Sequence, residues 1–388
     1  MITREAIREL AEFESPEGCA LTFYYQPDTP QNQSHREEAI LVKDLVREAL
    51  RDAEKGGKNA CARESLQRIL EIAERLHGNS GKAKAIFADS KHGVWREFDL
   101  PAWLPGTKLI VNRRFHLKPL TQVLDASPRV CVCAIDRSKA RLFDYNDGKV
   151  SEMVDFFNDL PRRGRSDGWA GYDGGHAERH VMNDAMQHFK FVADTLMDLY
   201  ERGGFDQLLI ACRDEQWPEI EPQLHPYLKQ RLLGHFRADP AVVTAETLRD
   251  QVETTVEEHE LNRRQGLVRE VLGEAHRNAR GAVGLRRVLR SLETGEVQTI
   301  LLGERFKAAG SECRNCGHLE LRQPSDCPVC GQPTSEVEDL ADAIIGRALR
   351  SGVEVLYIKE DEEFERAGHI GALLRFRADQ NTAMKLAG

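Results

Sequence analysis

The chain has 388 residues, with 63 acidic and 54 basic side chains and a net charge of -9. This length allows two or three domains with separate cores, and the acidic balance argues against a protein coated for nucleic acid, although local basic clusters can still contact phosphate. No apolar stretch is long enough to span a bilayer, and the N-terminus predicts an amphipathic helix rather than a signal peptide. We therefore expect a cytoplasmic protein without membrane association.

The first third of the sequence predicts a sheet with several helices. A helix at the N-terminus precedes the β-rich run A-L-T-F-Y-Y, and from Ser34 apolar residues recur at helical spacing after a capping box completed by Glu37. Another helix is predicted over Arg63 to His77. Two strands, K-A-I-F-A and W-R-E-F-D-L, follow around the turn D-S-K-H-G. We assign residues 1–125 to an N-terminal domain.

The middle third, residues 126–278, begins with a strand and a hairpin. V-C-V-C-A-I places Cys131 and Cys133 on one face of a strand as small core residues, and R-L-F-D-Y-N-D-G-K-V contains a turn signal. A glycine-rich segment without periodicity leads to a helix over about Ala177 to Glu201, then to the buried strand Q-L-L-I-A-C and two more helices. This alternation predicts a mixed or parallel sheet with helices on its faces.

The last third, residues 279–388, predicts an α/β domain with an insertion at about 311–333. Its elements are the helix G-L-R-R-V-L-R-S-L, the strand V-Q-T-I-L-L, the helix V-E-D-L-A-D-A-I-I-G-R-A-L-R, the strand E-V-L-Y-I and the closing segment G-H-I-G-A-L-L-R-F. The predicted fold class is therefore α/β (α+β), with three domains, each a mixed sheet with flanking helices. A zinc ribbon is inserted in the C-terminal domain.

The insertion carries the clearest chemical motif of the chain. Two knuckles, C-R-N-C-G and C-P-V-C-G, bring together Cys313, Cys316, Cys327 and Cys330, and the glycine after each pair admits a tight turn. Four thiolates fill a tetrahedral shell that suits Zn²⁺ and leave no position for a catalytic water, so the predicted zinc is structural. Redox dithiols, or knuckles that have lost their metal, are the alternatives. The nine cysteines fit a reducing cytosol better than a disulfide framework.

Several motifs, taken in order, resemble those of the archaeo-eukaryotic class-1 peptide chain release factors and their relative Pelota. They are F-H-L-K-P-L at Phe115 to Leu120, C-A-I-D-R-S-K-A-R-L-F, D-L-P-R-R-G-R followed by G-G-H-A-E-R, H-F-K-F-V-A, E-x-G-x-V-x-x-I-L-L and G-H-I-G-A-L-L-R-F. The resemblance implies three domains: an N-terminal one that faces the decoding centre, a middle one that reaches the peptidyl-transferase centre, and a C-terminal one that meets partners. It also implies a body that mimics tRNA in the ribosomal A site.

The middle-domain loop departs from the family pattern at one position. Gly174 and Gly175 match the family's Gly-Gly-Gln loop, but His176 stands where the family has the Gln that helps place water on the peptidyl-tRNA ester. An imidazole could hydrogen-bond a water or act as a base near its ordinary pKa of about 6.5. The bulkier ring could equally have lost the reaction, so the resemblance leaves enzymatic activity open.

The family's codon-reading groups are replaced as well. Gly18-Cys19-Ala20 stands at the Gly-Thr-Ser turn, Leu109-x-Val111-x-x-x-Phe115 stands at the Tyr-x-Cys-x-x-x-Phe strand, and the Asn-Ile-Lys-Ser loop has no recognisable counterpart near residues 32–34. Apolar groups at these positions lack the donors that read base edges. We therefore expect a domain that docks without discriminating codons.

The resemblance thus predicts a monomeric translation factor that binds rRNA in the A site for ribosome rescue, hibernation or codon-independent termination. Arg162, Arg163 and Arg165 read as a solvated loop by composition alone, but in this context they are predicted to contact rRNA phosphate. A translational GTPase is a candidate partner, since family members meet one. Two alternatives remain: an active release factor with His176 in the Gln role, and a non-ribosomal adaptor that keeps only the fold.

Overall fold

The computed structural model describes residues 4–26, 35–55, 60–75, 83–100, 106–126, 128–146, 148–153, 174–322 and 324–378. The chain divides into two compact units: Met1–Ala126 together with Arg264–Gly388, and Ser127–Arg263. The first and last thirds of the chain therefore share one unit. The division into three domains, at residues 1–125, 126–278 and 279–388, stays a prediction.

The N-terminal segment of the first unit is a four-stranded sheet with strand order β3-β2-β1-β4. Every strand pair in it is antiparallel, whereas we had predicted a mixed sheet. The reason is that two helices separate β1 from β2 and return the chain to the end at which β1 finishes. The elements are α1 (Arg4–Glu12), β1 (Ala20–Tyr25), α2 (His35–Glu54), α3 (Arg63–Arg75), β2 (Ala83–Asp89), β3 (Val94–Leu100), β4 (Lys108–Asn112) and α4 (Lys118–Ala126).

Both faces of this sheet are covered, which explains why β1 is apolar throughout. All six residues of β1 are buried, as expected for a strand that is packed on both sides. On one face Phe23 and Ile86 pack with residues of α2 and α3 such as Leu66. On the other face Tyr24 and Phe115 belong to a cluster that includes residues of α1 and α4.

The second unit is built on a five-stranded mixed sheet with strand order β7-β6-β5-β8-β9. Strands β5, β8 and β9 run parallel, and β6 and β7 form an antiparallel hairpin on β5. The mixed sheet was predicted, but β9 was not, and three α-helices follow β8 where two were expected, the last of them 32 residues long. The elements are β5 (Val130–Ile135), β6 (Ala140–Asn146), β7 (Lys149–Glu152), α5 (Gly174–Glu201), β8 (Gln207–Cys212), α6 (Trp217–Ile220), α7 (Pro226–Lys229), β9 (Leu232–Arg237) and α8 (Ala245–His276), of which the residues from Arg264 onward belong to the first unit.

The C-terminal segment returns to the first unit with a second mixed sheet, in the order β10-β16-β11-β15, and a small three-stranded ribbon, in the order β13-β12-β14. Strands β11 and β15 are parallel, and their neighbours in the larger sheet are antiparallel. The predicted α/β class is confirmed. The elements are β10 (Gly281–Val283), α9 (Leu285–Glu293), β11 (Val297–Gly303), β12 (Gly310–Cys313), β13 (Leu319–Glu320), β14 (Thr334–Val337), α10 (Leu340–Arg350), β15 (Glu354–Ile358), α11 (Glu362–Arg366) and β16 (Ile370–Leu374).

The motif F-H-L-K-P-L joins the two segments of the first unit. The backbone N–H groups of Leu117 and Lys118 donate to Oδ1 of Asp342 in α10, at 2.9 and 3.2 Å. The ammonium group of Lys118 donates to the carbonyl of Phe306 at 2.7 Å. Asp342 belongs to α10, but its carboxylate lies at the start of α4. It therefore caps α4 from a distant part of the sequence.

None of the helices in the described part of the chain combines the length and the apolar composition that crossing a bilayer requires.

Candidate functional site

The ribbon gathers four cysteine sulfurs at its end. The sulfurs of Cys313, Cys316, Cys327 and Cys330 all lie within 4.8 Å of one another. The closest pairs are Cys313 with Cys330, at 3.4 Å, and Cys316 with Cys327, at 3.6 Å. A tetrahedral shell with bonds of about 2.3 Å places its sulfurs about 3.8 Å apart. The four residues therefore fit a single metal ion.

Each knuckle is shaped by its glycine, as the C-x-x-C-G pattern predicted. Gly317 and Gly331 have φ values of 68° and 70°, in the left-handed region. Their backbone N–H groups donate to the carbonyls of Cys313 and Cys327, at 3.1 and 2.9 Å. This turn aims further backbone N–H groups at the sulfurs: that of Asn315 lies 3.4 Å from the sulfur of Cys313.

These N–H groups favour thiolate. The backbone N–H of Cys316, together with that of Asn315, lowers the pKa of Cys313 to about 6. For Cys316 the N–H of His318 lowers the pKa, but desolvation and the three other sulfurs outweigh it and raise the pKa to about 12. One sulfur of the cluster thus ionises readily while a neighbour holds its proton. A bound cation would displace that proton, because metal ligands must be deprotonated.

His318 was considered as a competing ligand because it lies two residues after Cys316. Its Nδ1 instead lies 2.6 Å from a carboxylate oxygen of Glu293 in α9. The guanidinium of Arg347 lies 3.7 Å from that same oxygen and donates to the carbonyl of Gly317. This network ties the first knuckle to two helices of the C-terminal segment, so His318 supports the ribbon rather than joining the sulfur cluster.

Two arginines of the link between β4 and α4 attach the ribbon to the N-terminal segment. Arg114 pairs with Glu312 in β12 and, at 3.0 Å, with Glu14. Arg113 donates to the carbonyl of Arg314, inside the first knuckle, at 3.3 Å and to Glu14 at 2.7 Å. Burial lowers the pKa of Arg114, but Glu312 and Glu14 outweigh this effect and raise it. These contacts were not predicted from the sequence.

The glycine motif of the second unit begins a helix. Gly174, Gly175 and His176 form the first turn of α5, whereas we expected the helix to start at about Ala177. The first N–H groups of a helix have no partner within it and carry the positive end of its dipole. Backbone donors at this motif can therefore face a polar or anionic group. Arg162, Arg163 and Arg165 lie outside the described residues.

Further along α5, His188 and Phe189 are core residues, with exposed fractions of 4% and 1%. Burial lowers the pKa of His188 and keeps its imidazole neutral at neutral pH. Cys131 and Cys133 are buried in the same cluster of apolar side chains, as the alternation of V-C-V-C predicted. These residues support the sheet.

The positions that match the family's codon-reading strand are packed. Leu109 and Val111 are partly buried against the cluster under α2 and α3. Phe115 is 3% exposed and stacks on Phe13, with ring centroids 5.0 Å apart. Here the apolar replacements serve the core of the N-terminal segment.

The turn that matches Gly-Thr-Ser contains a disulfide. Cys19, in the turn before β1, is bonded to Cys61, in the short 3₁₀ turn before α3. The nine cysteines were predicted to fit a reducing cytosol better than a disulfide framework, so this pairing was not expected. The pairing joins residues 42 positions apart, and no local motif records it.

Comparison with known proteins shows which family the middle of the chain resembles. Residues 116–280 match the model of the bacterial archaeo-eukaryotic release factor family 10. This segment of the chain is therefore similar to the bacterial relatives of the archaeo-eukaryotic release factors, as the sequence motifs predicted. The release-factor model thus covers the whole described middle unit and both glycines of the Gly-Gly-His motif.

Similarity to individual release factors extends further along the chain. Peptide chain release factor subunit 1 of Pyrococcus abyssi is 24% identical over 352 residues, which cover 81% of this chain and 84% of that protein. The crystal structure of the archaeal translation termination factor aRF1 is 16% identical, covers 97% of this chain and 99% of its own, and has a TM-score of 0.27. Ribosome-bound archaeal Pelota, in a model with ABCE1, is 18% identical, covers 76% and 78%, and has a TM-score of 0.41.

Proposed function

We propose that this release-factor relative is a cytoplasmic, monomeric translation factor that enters the ribosomal A site as a tRNA-shaped body and acts in ribosome rescue or hibernation. The proposal starts from the family match over residues 116–280. The relatives named above are release factors and a ribosome-bound Pelota. Retention of the Gly-Gly pair at the start of α5 supports a middle unit that uses backbone N–H groups against ribosomal RNA.

The proposal that binding is independent of the codon rests on Cys19. It occupies the middle of the family's codon-reading turn, yet it is 1% exposed and its sulfur is bonded to Cys61. A sulfur this deeply buried offers no donor to a base edge, and reading of bases requires such donors or stacking surfaces. Binding to the A site would then depend on ribosomal RNA and on shape, without regard to the codon.

Arg162, Arg163 and Arg165 are proposed to contact rRNA phosphate beside the Gly-Gly pair. Co-sedimentation with ribosomes tests this role. We expect equal binding to ribosomes programmed with stop or sense codons in an empty A site, and weaker binding after Arg→Glu changes at all three positions. A matched variant reverses three exposed arginines on helices, Arg249, Arg269 and Arg286, and should bind as the unmodified protein does. Absence of ribosome binding would refute the proposed function.

Peptide release from loaded ribosomes distinguishes binding from catalysis. We propose that His176 does not support hydrolysis, so neither the unmodified protein nor His176→Ala should release a labelled peptide. Release that is lost in His176→Ala would instead establish an active release factor with the imidazole in the Gln role. A translational GTPase is the proposed partner, and stimulation of its ribosome-dependent GTP hydrolysis would identify it.

We also propose that Cys313, Cys316, Cys327 and Cys330 hold a structural Zn²⁺. The donor set is four sulfurs, which favours zinc over harder cations, and it leaves no ligand position for water. The ion would stabilise the ribbon and take no part in chemistry.

A further inference from the structure

The disulfide between Cys19 and Cys61 lies where one end of the N-terminal sheet meets the connection between its two large helices. The α-carbons are 5.5 Å apart, which is the separation at which an ordinary disulfide forms. Neither backbone therefore has to move for the bond to exist. The pair closes a loop that contains β1 and α2.

The two sulfurs differ in access. Cys19 is 1% exposed, beneath the turn, whereas Cys61 is only partly buried. Thiol–disulfide exchange requires a thiolate to reach one sulfur of the bond. An external reductant can approach Cys61, so Cys61 is the sulfur attacked and Cys19 is the leaving group.

Contacts around the bond are unequal on its two sides. The turn on the Cys19 side is fixed by its own hydrogen bonds: the N–H of Cys19 donates to the hydroxyl of Ser15 at 2.9 Å, and the N–H of Gly18 donates to the Ser15 carbonyl at 3.1 Å. On the Cys61 side, the first turn of α3 is tied to the β2–β3 turn by the hydroxyl of Ser65, which accepts from the N–H of Ser90 at 3.2 Å. Strand β1 is also hydrogen-bonded to β2 and β4 along its length, whereas the 3₁₀ turn that carries Cys61 is not part of the sheet. Opening of the bond should therefore loosen the start of α3 and leave β1 in place.

The remaining cysteines do not compete for this chemistry. Burial raises the pKa of Cys131 to about 12 and that of Cys212 to about 11, and Cys133 is fully buried, so these thiols are unreactive. The four sulfurs of the ribbon lie together in one cluster. In a reducing compartment a disulfide that persists is usually a redox-sensing or catalytic one.

We propose that Cys19–Cys61 is a redox modification site, at which a dithiol reductant releases the start of α3 from the turn before β1. One reductant thiolate attacks Sγ of Cys61, the Cys19–Cys61 bond breaks, and Cys19 leaves as thiolate. The second reductant thiol then displaces Cys61, which forms the cyclic disulfide of the reductant. Two electrons pass from the dithiol to the protein. Hydrogen peroxide reverses the change: the Cys61 thiolate attacks one peroxide oxygen and becomes a sulfenic acid as the O–O bond breaks and hydroxide leaves, and the Cys19 thiol then displaces the sulfenic oxygen as water and re-forms the disulfide. The inference rests on the proposed cytoplasmic location and not on ribosome binding, and its test uses the isolated protein.

Differential alkylation and hydrogen exchange, both read by mass spectrometry, test the site in the full chain. With the oxidised protein, dithiothreitol should free Cys19 and Cys61 under native conditions, and a maleimide should then label Cys61 about ten-fold faster or more than Cys19. Amide exchange over residues 60–66 should rise about ten-fold, while exchange over β1 stays unchanged.

Cys61→Ser keeps the side-chain volume and mimics the reduced state without any reductant, so it avoids effects of thiols on the ribbon. It should exchange over residues 60–66 as the reduced protein does, and the control Cys131→Ala should exchange as the oxidised protein does. Three results would overturn the proposal: a pair that never oxidises, reduction only in denaturant, or equal exchange over residues 60–66 in all forms.

Discussion

Replacement of Asp342 by alanine tests how strongly α10 holds the motif F-H-L-K-P-L. The carboxylate of Asp342 accepts the N–H groups of Leu117 and Lys118, at 2.9 and 3.2 Å, and lies 3.2 Å from the imidazole of His116. Alanine removes the acceptor and leaves two helix-start N–H groups without a partner. A hydrogen bond to a charged group contributes about 1.5 kcal/mol or more, so the two bonds together predict a loss of about 3 kcal/mol.

The matched variants separate charge from hydrogen bonding. Asp342→Asn keeps an oxygen that can accept from the same N–H groups, so we expect a loss of about 1 kcal/mol. Asp361→Ala removes a cap of the same kind within a single segment, since Asp361 accepts from the N–H of Phe364 at 2.9 Å. This local cap should cost about 1 kcal/mol.

Hydrogen exchange over residues 114–126, together with urea unfolding, measures the effect. A local loss of about 3 kcal/mol corresponds to exchange that is about 100-fold faster in Asp342→Ala, because 1.4 kcal/mol is a factor of ten. Asp361→Ala should leave this region unchanged. Exchange in Asp342→Ala that is less than about three-fold faster would refute the capping argument, and so would equal losses in the alanine and asparagine variants.

Three further predictions concern the metal, the core and acid stability. Elemental analysis should find one zinc per chain, which is lost in Cys316→Ser and Cys330→Ser but kept in Cys131→Ala; zinc retained in either serine variant would contradict the four-sulfur shell. Phe364, which is 1% exposed, anchors α11 in the core, so Phe364→Ala should lower the free energy of unfolding by about 3–5 kcal/mol in urea, and a loss below about 1 kcal/mol would contradict this packing. Burial raises the pKa of Asp89, but hydrogen bonds from Ser15 and His92 outweigh it and lower the pKa. The ionised Asp89 therefore stabilises the fold above about pH 4, and this contribution is lost as the pH falls through the lowered folded pKa. Asp89→Asn should be less stable at pH 7 and should lose less on acidification; an unchanged dependence of the urea midpoint on pH would exclude Asp89 as its source.

Features that depend on neighbouring residues could be predicted from the sequence. The run A-L-T-F-Y-Y predicted a buried strand because its side chains are apolar, aromatic or β-branched, which suits a strand packed on both faces, and all six residues are buried. The C-x-x-C-G spacing gave the sulfur cluster because each knuckle is closed by its own backbone, with Gly317 and Gly331 at positive φ. Both signals lie within a few residues of chain.

Features that depend on distant residues could not be predicted in this way. The cap on α4 joins Leu117 to a residue 225 positions away, and the disulfide joins Cys19 to one 42 positions away, so no local periodicity encodes either. Strand β9 was missed because L-L-G-H-F-R has a glycine in its interior, Gly234 with φ 149°, which is unusual in a strand. Neighbouring strand β8 supplies the pairing that its own sequence does not specify.

The contacts that attach the ribbon to the N-terminal segment determine what must accompany it when it is grafted into another protein. Arg114 lies between Glu14 and Glu312, and Arg113 reaches the carbonyl of Arg314 inside the first knuckle. An excised cassette that kept the four cysteines would expose Glu312 without its cation and would lose the donor that holds the knuckle from outside. A graft into another scaffold would need to carry the arginine pair and its acidic counterpart along with the sulfurs.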